Sequence, residues 1–244
     1  MSKRKSFLHL TIAALVILGA AIYAAGQTSG NAVKQNKREQ ATKAAMPDAK
    51  SAPAEDVVYS YEFSQPQFTI GHIIIEHDAQ GRGHISFERQ GETEPITDPL
   101  ELSDSARTRI LGLWDALHFL DSDANYQSEK QFPHLGTMKL KMRRGTRERT
   151  AEFNWTNDAN AKALADEYRR AANQAIFIFD ISVARENEPL NSPKLLDTLD
   201  LYLARNELSD PHQLIPLIRD LSTDERLPLM ARNHAGRILK KLEK

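Results

Sequence analysis

The residues best suited to chemistry gather first between positions 72 and 88, where His72, Glu76, His77, His84 and Glu88 lie close together in the chain. Residues 68–77 and 84–89 read as two strands of a hairpin turning at Gln80-Gly81, with glycine supplying the positive φ that a tight turn requires. In that register Ala79 meets Arg82, His77 meets His84, Ile75 meets Ser86 and Ile74 lies opposite Phe87, with Ile70, Ile74, Ile85 and Phe87 on the core face. Two imidazoles facing one another, with Glu76, Asp78 and His72 nearby, make His77 and His84 the candidate metal pair. A zinc-like ion needs three or four N or O ligands converging at about 2.0–2.2 Å. Strand alternation opposes a full ligand set, because His77 shares a face with Ile73 and Ile75 while His72 and Glu76 point the other way. The same group, with Glu88, is where an envelope hydrolase would have its site.

The second cluster is basic. Lys139, Lys141, Arg143, Arg144, Arg147 and Arg149 surround the turn of a second hairpin and could bind an anionic envelope component such as lipid head groups or acidic glycans. The plainer reading is a solvated strand face whose charges are already paired. Residues 137–143 alternate Met138, Leu140 and Met142 with cations, and 148–155 alternate Ala151, Phe153 and Trp155 with polar residues. A loop at 144–147 sets Lys139 opposite Glu152, Arg143 opposite Glu148, Met138 opposite Phe153 and Leu140 opposite Ala151. Arg149 falls on the apolar face near the loop, which suits a local structural use.

Other chemistry leaves no signature. The chain contains no Gly-x-Ser-x-Gly elbow, Walker loop, His-Glu-x-x-His or dinucleotide-binding glycine pattern, so no cofactor is expected. Cysteine is absent, which excludes disulfides, thiolate chemistry and a cysteine-linked lipid anchor. Trp114, Trp155, Tyr168 and Phe179 sit at core spacing and read as filler.

The elements that must position these groups begin after an unusual N-terminus. Lys3, Arg4 and Lys5 precede an uncharged apolar run at residues 7–25, which as a helix would rise about 28 Å, close to the hydrocarbon thickness of a bilayer. The positive-inside rule puts the N-terminus in the cytoplasm and the remainder outside. Ala24-Ala25-Gly26 also suits a signal-peptide cleavage site, so residues 1–26 are a signal-anchor or a signal peptide, and either exports the rest. Without its three leading cations the chain keeps 29 of its 32 basic residues against 33 acidic ones, a net charge of −4 that does not suggest nucleic-acid binding.

Residues 27–56 are polar and small, as in a flexible linker. Residues 57–188 read as an α+β domain. It starts with an edge strand at 57–63, followed by the first hairpin, a third strand at 96–102, and a helix capped by Ser103 or Ser105. The second hairpin and a helix opened by Asn157-Asp158 and reaching about 183 complete it. The expected architecture is an antiparallel sheet of two hairpins covered by helices. Residues 189–244 then form a helical segment, with helices near 193–205, 211–221 and 224–242, a kink at Pro216 and a capping box at Ser222 and Glu225. Asp210-Pro211, Asp224, Pro228, Ala231, Arg232, Ala235 and Leu239 give the stretch 193–242 a loose resemblance to a HEAT-like repeat, which implies a helical hairpin used for packing or protein contact. Together these features predict a membrane-tethered extracytoplasmic interaction module. Its partners would be the membrane, through residues 7–25, and an envelope protein or anionic envelope component.

Overall fold

A computed structural model describes residues 56–244, so the apolar run at 7–25 and the linker preceding Asp56 lie outside the described residues. Among the described residues no helix is long and apolar enough to cross a membrane. The described residues form an α+β arrangement of six antiparallel strands and five α-helices. The strands are β1 (Val57–Ser64), β2 (Ile70–His77), β3 (Arg82–Arg89), β4 (Ile96–Glu101), β5 (Thr137–Arg144) and β6 (Arg147–Phe153), and they stand in the order β4-β3-β2-β1-β5-β6. The first strand is therefore central, not an edge. Tyr59, Tyr61 and Phe63 face the covered side and Ser60, Glu62 and Ser64 the other, and β1 pairs with β5 along its whole length, from Val57 with Arg144 to Ser64 with Thr137. This seam joins the two hairpins into one sheet.

The β5–β6 hairpin has the register that its alternation predicts, with Lys139 opposite Glu152, Arg143 opposite Glu148 and Met138 opposite Phe153. The β2–β3 hairpin is displaced by one residue. His77 pairs with Gly83, Glu76 with His84, Ile75 with Ile85 and Ile73 with Phe87. The cause is the turn. Asp78 and Arg82 close a three-residue loop in which the Asp78 carboxylate accepts from the backbone N–H groups of Gln80 and Arg82, and Gly81 takes φ of 79°. Ile85 and Phe87 lie in the core as expected, with Ile70 packed against it, but on β2 the slip points Ile73, Ile75 and His77 inward and Ile74 outward, which corrects the expected place of Ile74.

Two helices cover the inner face. α1 (Asp104–Ala116) is capped by Ser103, whose hydroxyl accepts from the Ala106 N–H, and buries Ala106, Ile110 and Trp114. α2 (Ala159–Asn187) is capped by Asp158 and runs four residues beyond the expected end. Its first half packs Ala161, Leu164, Tyr168 and Ala172 on the sheet. Its second half gives Phe177 and Ile181 to a separate apolar cluster with α3 (Ser192–Ala204), α4 (Ile215–Thr223) and α5 (Leu229–Leu242). This shared use explains why residues 176–179 are apolar all round.

Two helical boundaries differ from expectation. Pro216 does not kink a helix; it occupies the first turn of α4, where its missing N–H costs nothing, after a 3-10 turn at Pro211–Leu214. Ser222 and Glu225 form no capping box, because Asp224 ends α4 and α5 begins only after Pro228. Asp224 instead binds the guanidinium groups of Arg226 and Arg185, which hold its carboxyl well below the usual carboxylate range. The loop before α4 is stitched to the first core by Ser105 donating to Asp210 (2.7 Å), Asn173 to the Glu207 carbonyl (3.1 Å) and Gln213 to the Glu101 carbonyl (3.0 Å).

Candidate functional site

The sheet presents two chemically different faces. On the outer face, His72 lies between Glu88 (3.0 Å) and Glu62 (3.2 Å), and Lys139 donates to the other Glu62 oxygen (2.8 Å). Partial burial works to lower the His72 pKa, but the hydrogen bonds and charges of Glu88 and Glu62 outweigh it and leave the value raised. The Lys139 hydrogen bond is the main reason that Glu62 titrates low. His84 sits 3.6 Å from Glu76 on the same face. His77 is on the opposite face, so the two candidate metal ligands do not converge, and among the described residues no three His, Asp or Glu side chains are grouped to hold an ion.

The basic cluster is divided in the same way. Lys139 and Lys141 are half-buried on the outer face, with Lys141 3.2 Å from Glu148, and Arg143 is exposed beside them. Arg144 and Arg147 pair with each other at the hairpin end. Arg147 donates to Asp121 (2.5 Å) and to the Leu120 carbonyl (2.8 Å). Arg149 donates to the carbonyls of Phe119 and Ala124, each at 2.7 Å, with its guanidinium 4.5 Å above the Phe119 ring. Arg147 and Arg149 thus pin the segment after α1 onto the sheet edge. Arg143 and Arg144 are exposed and, among the described residues, form no ion pair.

On the inner face, the end nearest α1 is closed by a buried polar chain. Nδ1 of His77 lies 2.8 Å from the Asp78 carbonyl, which only accepts, so Nδ1 carries the proton. Nε2 then accepts from the Tyr168 hydroxyl (2.8 Å), whose oxygen accepts from the Trp114 indole N–H (2.9 Å). Tyr59 stacks on His77 at 5.3 Å, and Trp114 packs on Tyr59 at 5.6 Å. Burial lowers the His77 pKa, against the opposing pull of Asp78, and raises that of Tyr168, so both groups are neutral, and both His77 nitrogens, the Tyr168 hydroxyl and the Trp114 N–H each have a partner. This is a packed junction with no room for a substrate.

The other end of the inner face is open. Between β1, β2, β5 and the first half of α2 lies a cleft of about 850 Å³, within the size range of small-molecule sites. Tyr61, Phe153, Ala172 and Ile176, all buried, form its floor, while Phe63, Ile73 and Met138 form a half-buried wall. Phe68, Leu135 and Trp155 stand at the mouth, 44%, 39% and 39% exposed. Gly136 makes one side possible. It has φ of 90°, and a Cβ there would come within 2.6 Å of the Phe63 ring and 2.9 Å of the Ser64 carbonyl, so only glycine lets the chain pass Leu135 into β5 at this distance. Gln65 holds the same turn by donating to the carbonyls of Pro133 and His134, both at 3.0 Å.

Polar groups are few and lie at the rim. Lys162 and Asp166, in the first turns of α2, and Arg169 one turn later line the opening. Arg169 is 3.2 Å from Asp166 and 3.8 Å from Glu207, and the Lys162 ammonium lies 6.0 Å from the Trp155 ring centroid. An arrangement of this kind binds apolar matter and orients it by a charge at one end; it offers no paired acid and base.

None of the sequence-predicted site residues lines this cleft. Its rim was hidden because Trp155 extends the alternation of β6 and reads as core, whereas the strand ends at Phe153 and Trp155 turns out against Phe132, 5.2 Å away. Pro66 and the paired Phe63 and Phe68, 5.9 Å apart, were the available signal that the β1–β2 turn carries aromatic side chains beyond the sheet. The chain matches no protein-family model, and no curated protein matches it.

Proposed function

We propose that this protein is a non-catalytic extracytoplasmic binding module, held at a membrane by residues 7–25 with its N-terminus cytoplasmic, and that its ligand enters the cleft between the sheet and α2. The observation that carries this reading is the cleft itself. Protein interiors normally pack to the density of organic crystals, and an apolar recess of this size left open to water forgoes both dispersion contacts and burial worth about 25 cal/mol per Å². A bound apolar molecule recovers both. The polar outer face and the largely paired basic residues support the sheet as scaffold rather than as ligand surface.

Two measurements test it. A neutral solvatochromic dye such as Nile red should gain emission with the full chain, and Trp155→Ala and Phe68→Ala, both at exposed positions, should each weaken the gain several-fold without changing the thermal midpoint appreciably. Dye emission that ignores both substitutions removes the cleft as the site. N-terminal sequencing and intact mass of membrane and soluble fractions test the tether. An intact N-terminus in the membrane fraction is expected, and a soluble chain starting near residue 27 would replace the anchor by a cleaved signal peptide and a secreted or periplasmic protein.

A further inference from the structure

We infer that the cleft takes a long-chain alkyl carboxylate, its tail against Phe63, Met138 and Phe153 and its anionic head at Lys162. The inference rests on the cleft being the binding site and adds the chemical class of the occupant.

Charge at the mouth makes the choice. Three charged side chains line the cleft, Lys162, Asp166 and Arg169. Asp166 and Arg169 satisfy each other at 3.2 Å, and Arg169 has Glu207 as a second partner at 3.8 Å. Lys162 is exposed, and no carboxylate lies within ion-pair distance of it among the described residues; its nearest recorded partner is the Trp155 ring. Among the described residues Lys162 is thus the cation at the opening without a carboxylate partner of its own, beside an amphipathic aromatic side chain and with apolar walls behind it, so an anionic head group gains there an ion pair that no side chain already supplies. A cationic amphiphile would be repelled there, and a neutral one would gain only from its tail, at about fourfold in affinity per methylene buried.

The small exposed rim favours a small molecule over a protein. Phe68, Leu135 and Trp155 are the exposed large apolar residues at the mouth, whereas stable protein interfaces engage roughly 20–30 residues a side. The concavity reaches past these three to Tyr61 and Ile176, which a flat partner surface would not touch.

The test is photo-crosslinking of the full chain in neutral phosphatidylcholine nanodiscs, at sub-saturating probe, with adducts mapped by mass spectrometry. The probes are a diazirine-bearing hexadecanoate and the matching hexadecanol. The carboxylate should label Phe63, Met138 or Phe153. Lys162→Glu should cut that labelling about tenfold, since it removes one attraction and adds one repulsion, each worth a few-fold at an exposed site. Lys162→Arg should restore it. The alcohol should label the same residues more weakly and ignore both substitutions. Equal labelling by both probes, unaffected by Lys162→Glu, overturns the carboxylate assignment while leaving the cleft as an apolar binding site. Absence of cleft adducts with either probe overturns the assignment and the proposed function together.

Discussion

Tyr59 and Phe63 lie on the same face of the same strand, two residues either side of Tyr61, and they meet different surroundings. Tyr59 is buried under Trp114 of α1 and stacked on His77. Phe63 is half-buried, touches Phe68 and looks into the cleft. The sequence pattern of alternating aromatic residues is the same for both. What separates them is cover: α1 reaches the Tyr59 end and contributes no side chain to the cleft at the Phe63 end, which only α2 overhangs. An aromatic row on a strand is thus core or binding surface according to the helix above it. In this protein one row is both.

The comparison can be broken most forcefully at its closed end. Trp114→Ala should cost about 3–5 kcal/mol in denaturant unfolding, as buried tryptophan truncations do, while leaving ligand affinity unchanged under conditions where the variant is folded. Tyr168→Phe keeps the ring but leaves His77 Nε2 and the Trp114 N–H without partners. A buried unpaired polar group costs about 1–3 kcal/mol, so a loss of stability near or somewhat above that range is expected, again with binding intact. If either variant loses affinity in proportion to stability, the two ends are not separate. Trp155→Ala is the mirror test. It should change unfolding free energy by less than about 1 kcal/mol and weaken binding at least several-fold.

The two sheet faces sharpen the contrast by pH, with smaller effects. His77, at the closed end, has a depressed pKa, so its contribution to stability is complete above the ordinary histidine value of about 6.5 and is lost as pH falls through the depressed one. His72, on the outer face, has a raised pKa, so its contribution is complete below about 6.5 and is lost as pH rises through the raised one. The two act in adjoining windows, His72 above about 6.5 and His77 below it. As pH falls from mildly alkaline to mildly acid, the His72 contribution should raise the thermal midpoint before the His77 loss lowers it, and in His72→Ala the rise should shrink while the later fall remains. A rise above about 6.5 that is unchanged in His72→Ala would contradict the assigned directions.

What the sequence discloses depends on whether neighbours in the chain decide the outcome. The β5–β6 register follows residue by residue because Lys139, Arg143, Glu148 and Glu152 leave one pairing that satisfies both charge and apolar alternation. The β2–β3 register turns on a single fact, a three-residue loop closed by the Asp78 side chain; the face of Ile73 and Ile75 is the more apolar one, since Ile74 shares the other with His72 and Glu76, but a two-residue turn at Gln80-Gly81 sets Ile74 opposite Phe87 and hides it. That slip carries His77 into the core and separates it from His84. The central place of β1 and the cleft depend on a seam and an overhang between segments far apart in the chain, β1 with β5 and α2 over Phe63. No local pattern records them.

The central claim, that one end of this layer is packed shut and the other receives a ligand, is tested most directly by the protein's two tryptophans, one at each end. The full chain labelled with 5-fluorotryptophan gives two ¹⁹F resonances, assigned by Trp155→Phe. On adding hexadecanoate the Trp155 resonance should move with saturation and the Trp114 resonance should stay in place. Movement of Trp114 alone, movement of both together, or movement of neither would contradict the account.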